Sequence, residues 1–141
     1  CEALDLKNFS AKNSVIVGVR DPEQEELKNM KQQKVKVISM HELQEKGVQK
    51  ILKEIKKKVG KRKMYLSVDL DVVDPAFAPG VDTPVPGGLT SRELIYLCKQ
   101  IASWGLVGFD IMELSPPNDI QDMTSHLAGR LLLEVLASMR L

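Results

Sequence analysis

The chain has 141 residues and a mass of 15.7 kDa, which is the size of one compact domain. Hydrophobic residues make up 43% and charged residues 28% of the sequence, and this balance excludes a disordered, collagen-like or disulfide-scaffold protein. A net charge of +1 and the lack of a long apolar run argue against a nucleic-acid-binding or membrane-spanning protein. No signal peptide is visible and the only cysteines are Cys1 and Cys98, so we expect a cytoplasmic protein with reduced thiols.

The charge is unevenly distributed along the chain. Residues 44–63 hold nine basic and two acidic residues, whereas residues 64–141 hold four basic and ten acidic residues. In the basic stretch the apolar residues recur at helical spacing, which places the lysines on the outer face of a helix. We interpret this face as a solvated surface, because it lacks the interleaved aromatic residues that are typical of nucleic-acid binding.

The hydrophobic pattern predicts alternating strands and helices. In chain order the elements are a strand at 14–19, a helix capped by Asp21, a strand at 35–40, a helix at 41–59, a strand at 64–70, a loop at 72–89, a helix opened by the Thr90–Glu93 capping box, a strand at 106–112, a turn at 115–119 and a helix at 122–139. This alternation implies parallel strands, so we predict an α/β sheet with both faces covered by helices. No linker or repeat divides the chain.

Acidic residues stand at the ends of two predicted strands. Asp69 and Asp71 end the third strand, and Glu113 follows the fourth. Ligands gather at the carboxyl ends of parallel strands, and residues two apart lie on one side of an extended strand. Because no basic residue is near Asp69 and Asp71, a divalent cation would relieve their repulsion, and carboxylate oxygens suit Mg²⁺ or Mn²⁺. Similar acid pairs occur in phosphotransferases, in nucleotide-sugar enzymes and in plain capping turns, so these alternatives stay open.

The loop at 72–89 directly follows these acids. It contains four prolines and three glycines, which hold an irregular backbone in a fixed shape. Long ordered loops in compact domains are usually functional, although a structural crossover loop is the alternative.

The sequence that follows Asp69 and Asp71 excludes an EF-hand, because an EF-hand needs a glycine at the sixth loop position and a closing glutamate. A receiver domain is excluded as well, since no lysine follows the strand that ends at Glu113.

Three segments resemble the second half of the ureohydrolase family, which includes arginases, agmatinases and their relatives. They are SVDLDVVDPAFAPG at 67–80, TPVPGGLTSREL at 83–94 and GFDIMELSPPND at 108–119. The S-x-D-x-D-x-x-D-P run is the family's specific signature, and the doubled proline after Leu114 is more similar to an agmatinase. The resemblance implies a three-layer α/β/α sandwich with a mainly parallel sheet, of which residues 1–141 would form the C-terminal part of a single domain.

The resemblance also implies a metal-dependent hydrolase. A complete active site would hold two Mn²⁺ ions, and Asp69 and Asp71 match the last two of six ligands. A metal-bridging hydroxide would attack a guanidinium carbon, which two close metals make available near neutral pH. Glu113 matches the catalytic residue that pairs with the substrate guanidinium, and Thr83 matches a threonine that lines the site.

The family's partners are small guanidino substrates and further copies of the same chain. Family members assemble as trimers or hexamers, so we expect a homo-oligomer that binds neither nucleic acid nor membranes. Arg92 and Glu93 match positions that join subunits by ion pairs in some members. Their alternative role is an exposed helix start, with Glu93 in the capping box.

Three departures from the family pattern matter for function. The motifs Gly-Gly-Asp-His and Asp-Ala-His-x-Asp, which supply the other four ligands, are absent, and so is the catalytic histidine. His41 and His126 stand in no such motif, and we expect both to be ordinary surface or hydrogen-bonded histidines. Asp82 stands where many members have the glycine of Thr-Gly-Thr-Pro, which adds a carboxylate near the metals and leaves the substrate open. We therefore expect a fragment of a longer chain, consistent with its start at Cys1.

Two classes of function remain after this comparison. The first is a Mn²⁺-dependent ureohydrolase that converts agmatine to putrescine and urea, with arginase or formimidoylglutamase as alternatives because the loops that bind the substrate's tail are partly missing. The second is a truncated or degenerate ureohydrolase-like subunit that only assembles with others. Metal content and urea release distinguish the two classes.

Overall fold

A computed structural model describes residues 10–139, which divide into two compact units between Gly60 and Lys61. The predicted reduced state of Cys1 lies outside the described residues. Cys98 is a buried free thiol, and burial raises its pKa to about 12, so it stays protonated. Among the helices of residues 10–139, none is long and apolar enough to cross a membrane.

The first unit is a parallel strand pair with three helices. Its elements are β1 (Val15–Val19), α1 (Gln24–Gln32), β2 (Lys36–Ser39), α2 (Met40–Lys46) and α3 (Val48–Val59). β1 and β2 pair in parallel, and α2 contacts both strands. The register shifts between Val17 and Val19, where Gly18 takes a φ of 85° that other residues rarely adopt.

The predicted helix start at Asp21 is wrong. Asp21 has a φ of 42°, which lies outside the helical region, and the helix begins three residues later at Gln24. Glu23 is the N-cap residue, and it forms a reciprocal capping box with Glu26. The acidic run beyond Pro22 therefore supplies the cap, because a glutamate three residues further on is available to accept the N-cap N–H.

The single helix predicted at 41–59 is interrupted at Gly47. This glycine has a φ of 77°, which ends α2 and begins α3. The predicted apolar face of α3 is confirmed, with Ile51, Leu52 and Ile55 buried and most of the lysines exposed. The Glu54 carboxylate accepts hydrogen bonds from Lys36 in β2 (2.5 Å) and from Lys46 in α2 (2.8 Å), which ties α3 to both elements.

The second unit contains the other parallel strand pair. Its elements are β3 (Met64–Asp69), α4 (Ser91–Ala102), β4 (Leu106–Met112) and α5 (Met123–Ser138), with short 3₁₀ helices at Leu70–Val72 and Pro116–Asn118. Within residues 10–139 the four strands form two two-stranded sheets and not the single sheet expected from their alternation. The hydrogen bonds between strands are confined to each unit, β1 with β2 and β3 with β4.

The start of α4 follows the sequence prediction. Thr90 Oγ1 accepts from the Glu93 N–H at 3.2 Å, and the Glu93 carboxylate accepts from the Thr90 N–H at 2.9 Å. Leu94, Leu97 and Cys98 are buried as predicted. α4 packs against α5, and the two helices are joined at their surface by an ion pair of 2.5 Å between Lys99 and Glu134. Buried residues of α5 recur at helical spacing and are Thr124, Leu127, Leu131 and Val135.

The proline-rich loop is closed at its base by Asp74. The Asp74 N–H donates to the Leu89 carbonyl at 2.8 Å, and its carboxylate accepts from the N–H groups of Gly87 (2.7 Å) and Gly88 (3.2 Å). A Cβ at Gly88 would lie 2.4 Å from the Asp74 nitrogen and 2.5 Å from the Val73 carbonyl carbon. The two ends of the loop therefore meet at a backbone contact that only glycine permits.

This contact makes a stability prediction. Gly88→Ala inserts a methyl group into a packed backbone contact and should lower the free energy of unfolding by about 1–3 kcal/mol. Gly129→Ala is the matched control, since Gly129 lies inside α5 with nothing within 4 Å of its Cβ position. It should raise the stability by about 0.5–1 kcal/mol. Urea unfolding measures both, and a Gly88→Ala protein as stable as the wild type would contradict the close contact.

Candidate active site

The carboxyl ends of β3 and β4 lie at the same edge of their sheet. The strands are parallel, with Ser67 opposite Asp110 and Asp69 opposite Met112, and Glu113 follows directly after β4. Both Asp69 and Glu113 are exposed. The register of the sheet therefore places these two carboxylates at one edge, where ligands of parallel α/β sheets bind.

Asp71 lies just beyond the end of β3, in a different element from the one predicted. The prediction that Asp69 and Asp71 share one side of an extended strand is wrong, because β3 ends at Asp69 and Asp71 lies in the following 3₁₀ helix. The Asp69 Oδ1 atom accepts from the Asp71 N–H at 2.9 Å and so caps this helix. Asp71 is half-buried, with Oδ1 removed from solvent. The turn, and not the strand repeat, sets the spacing of the two carboxylates.

Glu113 has an unusual backbone conformation. Its φ is 64°, in the left-handed region that non-glycine residues adopt in only a few per cent of cases. Such residues persist where the surrounding structure determines them, and they cluster at functional sites. Here the next turn is fixed, since the Ser115 N–H donates to the Gly80 carbonyl at 2.8 Å. The sequence carries no signal for this conformation, because glutamate has no special preference for it.

Hydrogen bonds join the chain after Glu113 to the proline-rich loop. The Gly80 N–H donates to the Thr124 hydroxyl at 2.7 Å, and the Asn118 amide donates to Asp82 Oδ1 at 3.2 Å. A Cβ at Gly80 would lie 2.7 Å from Asp119, so this contact also requires glycine. Asp82 and the neighbouring Thr83 are exposed at this end of the unit. Sequence analysis singled out Thr83 and Asp82 but gave no sign of the Asn118 contact.

The charge around these segments has one sign. Residues 64–91 and 100–129 contain eight acidic residues and no lysine or arginine. They are Asp69, Asp71, Asp74, Asp82, Asp110, Glu113, Asp119 and Asp122. A local excess of acidic residues attracts cations and repels anions. We use the name acidic edge for the four of these that face the carboxyl ends of the strands or their loops, namely Asp69, Asp71, Asp82 and Glu113.

Asp110 is an acid that sequence analysis missed as a structural residue. It accepts hydrogen bonds from Tyr65 (2.8 Å) and Ser67 (2.6 Å) across the strand pair. The bond to Asp110 raises the pKa of the Tyr65 hydroxyl. Gly108 faces the Tyr65 ring, which a Cβ there would approach to 3.1 Å. Two hydroxyls thus hold this carboxylate and join β3 to β4.

Asp119 was also missed as a structural residue, and its side chain caps α5. The helix begins at Met123, and Asp122 makes no capping bond through its side chain. Instead the Asp119 carboxylate accepts from the N–H groups of Thr124 and Ser125, each at 2.9 Å. Burial acts to raise the pKa of Asp119, but these bonds and those from the two hydroxyls outweigh it and lower the pKa to about 2.

The described residues supply only part of a metal site. Within residues 10–139 no three histidine, cysteine, aspartate or glutamate side chains are placed to bind a metal ion together. Asp69 and Asp71 offer carboxylate oxygens, which suit Mn²⁺ or Mg²⁺ in type but not in number. His41 and His126 are exposed as predicted, and His41 pairs with Glu45 at 3.5 Å. The donor chemistry therefore fits a metal that further ligands complete.

Comparison with known proteins assigns the family. Residues 2–138 match the arginase family over nearly the whole chain. The chain belongs to the arginase family. It is 42% identical over 135 residues to proclavaminate amidinohydrolase of Streptomyces clavuligerus, covering 94% of this chain and 43% of that protein. It is 41% identical over 100 residues to agmatinase of Salmonella newport, covering 71% of this chain and 33% of that protein.

The solved structures agree with this assignment. The chain matches formimidoylglutamase from Bacillus subtilis with a TM-score of 0.91 at 32% identity, covering 97% of this chain and 44% of that one. The chain thus spans less than half the length of these arginase-family relatives. The ureohydrolase resemblance is confirmed, and so is the predicted arginase-like α/β fold with parallel strands.

The lowered pKa of Asp119 predicts how its contribution to stability depends on pH. A carboxyl whose folded pKa is about 2 stabilises the fold fully above its ordinary value of 3.8, and this contribution is lost as the pH falls toward 2. Asp119→Asn should therefore be less stable than the wild type at pH 6, and the difference should shrink between pH 4 and 2. Urea unfolding across this range measures it, with Asp122→Asn as the matched control. An equal difference at every pH would contradict the capping role of the charge.

Proposed function

We propose that the protein carrying this chain hydrolyses a linear amidine, with agmatine as the first candidate, to urea and an amine. The observation that carries the proposal is the meeting of Asp69 and Glu113 at the carboxyl ends of β3 and β4, in a region of eight acids without lysine or arginine. This charge suits both a divalent cation and a guanidinium substrate. Membership of the arginase family supports the reaction class.

Asp69 and Asp71 would hold manganese together with residues outside this chain. Asp71 is fixed by the 3₁₀ helix that Asp69 caps, so both carboxylates keep their places without the metal. Bound Mn²⁺ would supply hydroxide near neutral pH by lowering the pKa of water. The metal would also relieve the repulsion between the two carboxylates.

Glu113 would bind and orient the substrate. A carboxylate can accept two parallel N–H bonds from a guanidinium, which fixes the plane of the group and the position of its central carbon. The left-handed backbone of Glu113 starts this side chain in a fixed direction from the strand end. Thr83 would line the same site, since its loop is hydrogen-bonded to the segment that follows Glu113.

The properties of the whole protein form part of the same proposal. We infer that residues 1–141 belong to a single ureohydrolase domain, as its C-terminal part, in a cytoplasmic homo-oligomer of three or six copies. Arg92 is exposed and remains a candidate for subunit contacts. Glu93 already belongs to the capping box of α4, so any ion pair it makes would be additional to that role. With agmatine as substrate, the protein would serve polyamine synthesis.

The proposal is tested on the protein expressed from its complete open reading frame. Manganese per protomer is measured by elemental analysis, and urea release is measured with agmatine and with arginine. Glutamate release from formimidoylglutamate tests the third substrate. Two manganese ions per protomer with product from any of the three substrates supports a ureohydrolase-family enzyme. A protein that binds no manganese and releases no product would instead be a non-enzymatic subunit.

A first variant tests the metal ligands. Asp71→Ala removes one carboxylate and should abolish urea release and reduce bound manganese, because the remaining ligands lose a charged oxygen donor. Exchanging Lys53, Lys56 and Lys57 for glutamine is the control, since these side chains lie on the exposed face of α3 and turnover should not change. Unchanged manganese content in Asp71→Ala would exclude its role as a ligand.

A second variant separates substrate binding from metal binding. Glu113→Gln should leave manganese bound but lower kcat/KM by at least about 100-fold, because it removes the charge that pairs with the guanidinium. Glu45→Gln makes the same exchange at an exposed position of α2 and should leave kcat/KM unchanged. If Glu113→Gln loses manganese and keeps its turnover per bound metal, Glu113 is misassigned.

A further inference from the structure

Asp82 occupies a fixed position in the proline-rich loop. The preceding Val81 is buried at 2% exposure and anchors the loop. Short backbone bonds flank the position, from the Val81 N–H to the Pro79 carbonyl and from the Val85 N–H to the Thr83 carbonyl, both at 3.0 Å. The Asp82 carboxylate itself is exposed. A charged group is therefore held out from an ordered turn.

Hydrogen bonds link the loop that carries Asp82 to the segment that follows Glu113. One amide nitrogen of Asn118 donates both to Asp82 Oδ1 (3.2 Å) and to the Ser115 hydroxyl (3.0 Å). The Ser115 N–H also donates to the Gly80 carbonyl at 2.8 Å. Glu113 precedes Ser115 by two residues, a stretch of chain that spans at most about 7 Å. The loop that carries Asp82 is therefore tied to the segment that begins at Glu113.

The charge of Asp82 is not balanced by a neighbouring base in the sequence. Residues 64–91 and 100–129 contain no lysine or arginine, and the Asn118 amide provides a neutral hydrogen bond only. An exposed carboxylate in such a region attracts an ammonium group and repels another carboxylate. The hydrogen bond from Asn118 fixes the position of the Asp82 carboxylate, and so the point from which it attracts or repels charged groups.

We propose that Asp82 determines substrate specificity by binding the ammonium group at the tail of the substrate, while Glu113 binds the guanidinium at the other end. This inference rests on the proposed function. It names guanidinoalkylamines, whose tail carries an ammonium and no carboxylate, as the favoured substrate class. An α-amino acid such as arginine presents an ammonium and a carboxylate together, so attraction by Asp82 is offset by repulsion. A guanidino acid with a carboxylate alone is disfavoured most strongly.

The test compares three substrates in the wild type and in Asp82→Asn, each expressed from the complete reading frame and loaded with manganese. The substrates are agmatine, arginine and 4-guanidinobutyrate. Asparagine keeps the size of the side chain and an oxygen that can accept from Asn118. In this variant kcat/KM for agmatine should fall about 10- to 100-fold, mainly through KM, while that for 4-guanidinobutyrate stays constant or rises. Asp122→Asn, which removes an exposed charge without a capping bond, should leave all three values unchanged.

A binding measurement and a second variant complete the test. Calorimetric titration with putrescine, which retains the ammonium groups, should show weaker binding to Asp82→Asn than to the wild type. Asp82→Glu keeps the charge and should retain the preference for agmatine, which separates the charge from folding effects. Thermal unfolding checks that each variant is folded.

The outcomes distinguish this inference from the proposed function. A wild type that releases no product from any of the substrates overturns both. A wild type that is active but prefers 4-guanidinobutyrate over agmatine overturns the role of Asp82 and leaves the ureohydrolase activity intact. The same conclusion follows if Asp82→Asn keeps the wild-type ratio of agmatine to 4-guanidinobutyrate turnover.

Discussion

The concentration of carboxylates in two stretches of the sequence is the constraint on which the second unit depends. Residues 64–91 and 100–129 contain eight acids, and each carboxylate that is drawn away from water needs hydrogen-bond donors. Asp74 and Asp119 use backbone N–H groups, at a loop base and at the start of α5. Asp110 uses the hydroxyls of Tyr65 and Ser67. These hydrogen bonds make three of the acids part of the scaffold.

Three of the remaining acids differ because their carboxylates are open to solvent. Asp69 accepts from the Asp71 N–H, Asp82 accepts from the Asn118 amide, and both side chains stay exposed together with Glu113. Asp74 closes the proline-rich loop. Asp119 caps the start of α5, where the Thr124 hydroxyl accepts a hydrogen bond from the Gly80 N–H. Asp74 and Asp119 therefore help to hold the segments that carry the acidic edge.

Sequence patterns predicted those parts of the fold that depend on residues only a few positions apart. The capping box of Thr90 and Glu93 and the apolar face of α3 are as expected, since both depend on spacing within a few residues. No local pattern indicated the cap of α5, because the N–H groups at its start donate to Asp119, which lies outside the helix. The helical periodicity around Gly47 predicted one continuous helix. The structure interrupts it there, because Gly47 takes a φ of 77°, which ends a helix.

The candidate site was predictable only as far as strand order determines it. Parallel strands place Asp69 and Glu113 at one edge whatever the details of packing, and the register bears this out. The 3₁₀ position of Asp71 depends on a local cap from Asp69, which the alternating strand pattern did not indicate. The left-handed backbone of Glu113 stands two residues before a bond between distant segments, from the Ser115 N–H to the Gly80 carbonyl. The contact between Asn118 and Asp82 likewise joins distant segments, which no local pattern encodes.

The register of β3 and β4 links the scaffold to the chemistry. A slip of one residue would move every side chain of a strand to the other face of the sheet. The Asp110 bonds to Tyr65 and Ser67 oppose such a slip, and Gly108 is the residue whose lack of a side chain leaves room for the Tyr65 ring between the strands. Because Glu113 follows β4 directly, its distance from Asp69 depends on the same register. The Asp110 carboxylate thus helps to determine where Glu113 stands relative to Asp69.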